Sequence, residues 1–436
     1  MPTGPGVRSG PTAGLVARTR LLDVDPDLIA VAADDGVVFV RDRVGVAGVG
    51  VAARIRVPRT GGADDAGAVT EALGAITHDD PVHHAGSGPV AIGALPFEPT
   101  RPGALVVPRI TVGRADDGTR WVTTVTPPDD ACSTEEVDAV LARGLATGTG
   151  FGRDAGSSRA DEGPGSYTLR ATVAPAEWCD TVAEATTRLR AGVARKVVLA
   201  RAVEVSTDRP LRASVLLGQL RRSYPTSHLF SVEGFVGATP ELLVARAGDR
   251  VLAHPMAGTA PRSGDPSADA RLAAGLLAST NTRDEHRHTI DMVHDTLLPW
   301  CSYLDEEAEP QIVAMANVQH LATRLEGRLS SPPASVLELV GALHPTPAVG
   351  GSPRDVALDL IAELEDLDRG RYAGPVGWVD AAGNGTWAVG IRSAELHGTT
   401  ARLYAGVGVV ADSDPAAELA ETRAKLQALL SAVVRP

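Results

Sequence analysis

The chain has 436 residues, and its 44% hydrophobic and 22% charged content are those of a globular protein with room for a sizeable core. A net charge of −13 argues against nucleic acid or an anionic membrane as partner, so an anionic substrate would need local cations to hold it. Cys132, Cys179 and Cys301 show neither metal spacing nor a disulfide framework, which suits a reducing cytoplasm, and no apolar run reaches membrane-spanning length.

Residues 1–14, rich in Gly and Pro, read as a disordered tail. Residues 15–143 read as a strand-rich part, with strands predicted at Val37–Val40, Val90–Leu95, Ala104–Val107 and Trp121–Val125 between turn clusters. Nothing chemical gathers there. His83 and His84 are adjacent, and adjacent side chains do not face one site on a helix or a strand. Residues 144–165 turn Gly-, Ser- and Asp-rich and read as a flexible linker or loop.

Residues 166–436 carry the stronger signals. Trp178, Val182, Leu189 and Val193 predict an amphipathic helix over Ala176–Arg195. It delivers Lys196 to the head of an apolar run suited to a buried strand. A lysine there is either a snorkelling edge residue or an amine held close to a site. Leu229–Val244 predicts a hairpin with a Gly/Pro corner, placing Glu241 at the entry to a strand. His254–Arg262 predicts a turn that exposes backbone N–H groups and one Arg, as oxyanion sites do. Glu285 falls in a single helix predicted over Pro266–Leu298. His344–Gly351 is a constrained loop, and Gly383-Asn384-Gly385 signals a hairpin.

At the end of the chain, Arg402–Val410 reads as a strand, followed by a polar turn and a helix. Asp414 is a good N-cap and Pro415 suits the first helical position. Leu419, Leu426, Leu430 and Val433 give its apolar face, while Glu418, Glu421 and Lys425 share another. That trio is ordinarily a solvated Glu–Lys pair, yet two carboxylates one turn apart can also hold a hard cation. Gly406–Ala411 fits the dinucleotide fingerprint G-x-G-x-x-A, which needs its helix to open at the glycines. Here the helix waits until after Asp414, so that reading is rejected. The glycines are expected to let a ligand lie against bare backbone.

In order, Lys196-Val-Val-Leu-Ala-Arg201, Gly237-Ala-Thr-Pro-Glu241, Pro255-Met-Ala-Gly-Thr259, Glu285-His286, His344-Pro-Thr-Pro-Ala348, Tyr372-Ala-Gly-Pro-Val-Gly-Trp378, Ile391-Arg392 and Ala405–Val410 with Glu418 and Glu421 resemble the chorismate-binding enzymes. That family includes anthranilate, aminodeoxychorismate, salicylate and isochorismate synthases, and the match runs from about Ser166 to the end. The His344–Ala348 loop and Gly377-Trp-Val-Asp380 are most similar to the isochorismate synthases. Ala257 stands where some amino-transferring members carry a nucleophilic lysine, and Ala348 where salicylate synthases tend to carry Thr. Thr282 departs from the family, which usually has an acid there.

The resemblance implies an α+β fold, with large, mostly antiparallel sheets flanked by helices in one unit. It implies Mg²⁺-dependent conversion of chorismate to isochorismate for menaquinone or siderophore synthesis. Lys196 would be the base that activates water, its neutral form favoured by Arg195 and Arg201, and Glu241 the acid for the leaving hydroxyl. Mg²⁺ would sit on Glu285 and Glu421, with Glu418 through water. Arg392 and Tyr372, with the backbone of Gly406 and Gly408, would hold the enolpyruvyl carboxylate. Thr259, His344, Ala348 and Lys425 would line the wall. No amidotransferase partner is expected. The rivals are an amino-transferring relative, a salicylate synthase, and a non-catalytic scaffold that kept the fold.

Overall fold

The strand His228–Val232 pairs with Val37–Arg41, and Pro375–Asp380 pairs with Val90–Ala94, so the early and late parts of the chain share their sheets. The computed structural model describes residues 12–60, 63–146, 164–315 and 318–434. Most of the expected tail and of the expected linker therefore lies outside the described residues. The described strands form a 13-stranded sheet, a 9-stranded sheet and a 3-stranded sheet. Every pairing is antiparallel except Val16–Leu21 with Thr77–Asp79. This is the α+β architecture expected.

Val, Leu and Ala build most of the core, as the shortage of aromatics requires. One aromatic cluster sits where two sheets face one another: Phe39, Phe230 and Phe235 from the larger sheet meet Ile92 and Trp378 from the second. Helices cover the other face of the larger sheet. Leu216 and Leu220 of Ala213–Ser223 and Leu426 and Leu429 of Pro415–Val434 pack with Val203 and Leu403 beneath them. Each such side chain contributes about 1.5–3 kcal/mol by leaving water. Among the described residues no helix is long and apolar enough to cross a membrane.

Two corners, where the chain passes from one large sheet to the other, set up the site. At the first, Phe235–Thr239 in the larger sheet leads through Pro240 and Glu241 into Leu242–Ala247 of the second. At the other, Gly385–Val389 leads back through Gly390, Ile391 and Arg392 into Ser393–His397. The corners hold each other by backbone: Val389 N–H donates to the Glu241 carbonyl at 3.0 Å, and Ala238 N–H to the Arg392 carbonyl at 3.1 Å. A Cβ on Gly237 would come within 2.8 Å of that Arg392 carbonyl, so only glycine allows the approach.

Several local expectations shift. The first amphipathic helix is Pro175–Arg190, and Val193 lies beyond it, 47% exposed. The helix expected over Pro266–Leu298 is two, Pro266–Ala278 and Thr280–Leu297, because the Ser279 hydroxyl accepts from Thr282 N–H and starts a new one. His254–Arg262 is not an exposed turn. Met256–Pro261 is a strand paired with Val318–Ala322, and the Arg262 guanidinium is taken by Asp269 and the Met315 carbonyl. The Gly383 hairpin forms as read. Asp380 accepts from Ala382 and Asn384 N–H at 2.9 Å each, fixing the turn.

Candidate active site

Lys196 opens the strand Lys196–Thr207, which pairs along its length with Thr400–Val409. Its stem crosses that neighbour at Gly408, where a Cβ would stand 2.5 Å from the lysine Cε. Gly408 thus makes room for a side chain of the protein, and like Gly406 it also borders the cavity that Lys196 faces. Lys196 is 8% exposed and donates from Nζ to Glu285 Oε1 at 2.6 Å. Arg195 is exposed, and Arg201 leaves the strand by the opposite face, so neither stands beside the Lys196 amine.

Lys196 borders a cavity of about 310 Å³. Glu241 reaches it from the first sheet-changing corner and is 5% exposed. Burial pushes its carboxyl up to about 7, against the pull of Lys196, Arg392 and Lys425. A carboxyl in that range carries a proton to give at neutral pH. Arg392 enters from the other corner, also buried, with its guanidinium Nη2 3.4 Å from His320 Nε2. Tyr372 lies beneath it, stacked on Tyr404 at 5.0 Å, and burial lifts its phenol to about 12, so it remains a donor.

The C-terminal helix Pro415–Val434 brings Glu418, Glu421 and Lys425 to the same cavity on one face. The Glu–Lys pair is real: Lys425 Nζ lies 2.7 Å from Glu421 Oε1, and it also donates to the Gly406 carbonyl at 2.9 Å. Glu418 is raised above its ordinary pKa, first by burial and then by Glu421 and Glu285, against Ser413 and Lys425. Three carboxylates whose charges disfavour one another are the donor chemistry that a hard cation such as Mg²⁺ takes. In this conformation Glu285 and Glu421 each turn to a lysine, and among the described residues no three such groups converge into a metal cage.

Thr259, Ala348 and Gly406 also line the cavity. His344 does not. Its ring is 1% exposed, donates from Nε2 to the Phe97 carbonyl at 2.8 Å, and meets the Phe97 ring edge to face. Burial drops its pKa to about 3. The structure makes it a support behind the wall instead of a residue in it, because its helix ends by turning the ring into the core.

Sequence reasoning passed over His320, Arg369 and Tyr404, all of which border the cavity. Burial, with Arg392 and Lys425 adding to it, drops His320 to about 3, so the ring is neutral. Its Nδ1 lies 3.2 Å from the Gly258 carbonyl; donation there leaves Nε2 to accept from Arg392. A lone histidine in an apolar strand gives no signal of this. Arg369 forks onto Glu365 at 2.7 Å and donates to the carbonyls of Val198 and Val349, anchoring the floor. The i,i+4 spacing of Glu365 and Arg369 was the readable signal. Thr282 sits where the family's acid was missed. A Cβ on Gly258, at φ +77°, would strike its methyl at 2.4 Å, and its hydroxyl donates to Ser279.

The family model for chorismate binding enzymes matches residues 37–434. Isochorismate synthase DhbC of Bacillus subtilis is 38% identical over 278 residues, 61% of this chain and 70% of its own. Isochorismate synthase MenF of the same organism is 33% identical over 383 residues, 82% and 77% of the two chains. Among solved structures, the menaquinone-specific isochorismate synthase MenF of Escherichia coli superposes with a TM-score of 0.77 over 97% of this chain and 95% of that one. At 24% identity it speaks for the fold alone.

Proposed function

This chain belongs to the chorismate-binding enzymes, and from that premise we infer that it is an isochorismate synthase acting on chorismate. The observation that carries the reading is that Lys196, the buried Glu241 with its raised pKa, and Arg392 all border one cavity. Water must add at C2 while the C4 hydroxyl leaves, so the site needs a base for one oxygen and an acid for the other.

Lys196 takes a proton from water as its oxygen bonds to C2. The ring double bonds shift, the C4–O bond breaks, and Glu241 gives its proton to the departing oxygen, which leaves as water. Lys196 must enter this step as a neutral amine, because an ammonium has no lone pair to take the proton, and its ion pair with Glu285 has to give way first. Arg392 offers a two-pronged fork to the enolpyruvyl carboxylate, and the Tyr372 phenol offers a further donor. Lys425, Thr259 and Ala348 complete the wall. Mg²⁺, held by Glu285 and Glu421 with Glu418 through water, would supply positive charge to the ring carboxylate. Ala257 offers no amine for covalent amination, so solvent is the simplest nucleophile and no amidotransferase is needed. The product feeds menaquinone or siderophore synthesis.

Incubating the protein with chorismate and Mg²⁺ in ¹⁸O-labelled water, with and without ammonium, tests the reading. The label should appear in the ring hydroxyl in both cases. An aminated product, or salicylate as the main species, would overturn it.

A further inference from the structure

The strand Lys196–Thr207 pairs along one edge with Thr400–Val409, over residues 197–206. Its other edge is paired only at the ends: Lys196 and Val197 meet Ser352 and Gly351, and residues 203–207 meet Tyr167–Ala171. Across residues 198–202 no strand lies beside that edge among the described residues. Val198 and Ala200 are buried there, and their backbone groups need partners. Side chains supply them. Glu365 Oε2 accepts from Ala200 N–H at 2.8 Å, and Arg369 Nη2 donates to the Val198 carbonyl at 2.7 Å. The wall loop supplies one more, since Val198 N–H donates to the Gly350 carbonyl at 2.9 Å.

Glu365 and Arg369 also hold each other. The guanidinium forks onto the carboxylate through Nε and Nη2 at 2.7 Å each, and both side chains are 3% exposed. Phe97 covers the fork, its ring centre 4.1 Å from the guanidinium carbon. Nη1 donates to the Val349 carbonyl at 3.0 Å. One ion pair therefore touches both the strand that carries Lys196 and the loop that carries Ala348, and Val198, Ala348 and Val349 all border the cavity. A planar guanidinium can serve a carboxylate and two carbonyls at fixed angles, which an ammonium cannot. We propose that Glu365 and Arg369 are positioning residues for the reaction: they take the place of the missing strand and fix the spacing between the strand of Lys196 and the wall at Ala348. They act through the backbone of those two elements, and the inference rests on the reading of Lys196 as the base.

Arg369→Lys tests this, because it keeps a charge beside Glu365 and loses the fork. Well below its Tm, kcat with chorismate should fall by about tenfold or more, the cost of misplacing a reacting group by about an ångström, while KM stays within about threefold. Hydrogen exchange without substrate should quicken at residues 196–202 and 344–351 and stay unchanged at His228–Val232. Arg371→Lys is the control. Arg371 forks in the same way onto Glu395 and donates to the Val232 carbonyl, with no side-chain hydrogen bond to the Lys196 strand or the wall loop among the described residues. Its variant should lose Tm and keep kcat. Should Arg369→Lys not fold, Arg369→Met/Glu365→Gln removes both buried charges together, the milder change, and the same loss of kcat is expected. Unchanged kcat, a loss shared equally by Arg371→Lys, or exchange unaltered at residues 196–202 would each overturn the proposal. A wild type that turns chorismate into some other product overturns instead the reading of the reaction, while exchange, read without substrate, still judges the brace.

Discussion

Lys196 Nζ and Glu285 Oε1 stand 2.6 Å apart, so the residue that should take a proton is held by one that should hold a cation. The strand beginning at Lys196 and the helix Thr280–Leu297 supply one member each. Under the proposed roles the pair would join the acid–base machinery to the carboxylate cluster, and base and metal ligand would become free together.

Gly408 tests the placement of that amine. In Gly408→Ala the new methyl meets the flexible end of Lys196 and no backbone, so the lysine should move while the fold stays. Misplacing a reacting group by about an ångström costs up to ~10²-fold in rate. Steady-state kinetics should show kcat down by about tenfold or more with Tm nearly unchanged. Retained kcat would remove Lys196 from the reaction.

Glu241 sets a pH limb. Its carboxyl titrates at about 7 in the folded chain, above the ordinary carboxylate value, because it is buried. The folded state therefore holds this proton longer than the unfolded chain does. Its contribution to stability is neutral below about pH 4. It grows steadily more unfavourable between about pH 4 and 7, as the unfolded chain gives up the proton and the folded one keeps it, and levels off above that. Glu241→Gln should gain Tm over wild type across that window and not below it, while kcat falls about 10²-fold or more. In wild type, kcat/KM should decline above pH 7 as the acid loses its proton. A flat profile there, together with an active Glu241→Gln, would assign the acid elsewhere.

Glu421 reports on the cation. Glu421→Gln keeps an oxygen for Lys425 but removes the charge, so the helix should survive. Titrating Mg²⁺ should raise both the activity and the Tm of wild type. The variant should need at least about tenfold more Mg²⁺ for either effect. Wild-type behaviour in both measurements would take Glu421 out of any metal site.

His344 separates support from contact. His344→Ala opens a void beside Phe97 and strands a buried carbonyl, changes that together cost about 2–5 kcal/mol. The Tm should fall clearly, whereas KM for chorismate, measured well below the new Tm, should stay within about twofold. A large KM effect with an intact Tm would return His344 to the cavity wall.

Much of this was legible in the chain itself. Local chemistry decided the strand that starts at Lys196, the Gly383 hairpin, and the Asp414 cap that sets the C-terminal helix. That helix's spacing then obliges Glu418, Glu421 and Lys425 to share a face. The order of the motifs pointed to the family, and the strand signals to an antiparallel α+β fold. Only the tertiary structure decided which partners those side chains meet. Lys196 to Glu285, Arg392 to His320, and Gly237 to Arg392 span 72 to 155 residues of chain, distances over which propensity and periodicity carry no information. The same holds for the sign of a residue's role. His344 and Arg201 each stand in or beside a motif, yet one turns into the core and the other to the far face of the sheet. Strand alternation and the packing of distant elements fix which way a side chain leaves the backbone, and those are settled only when the sheets assemble.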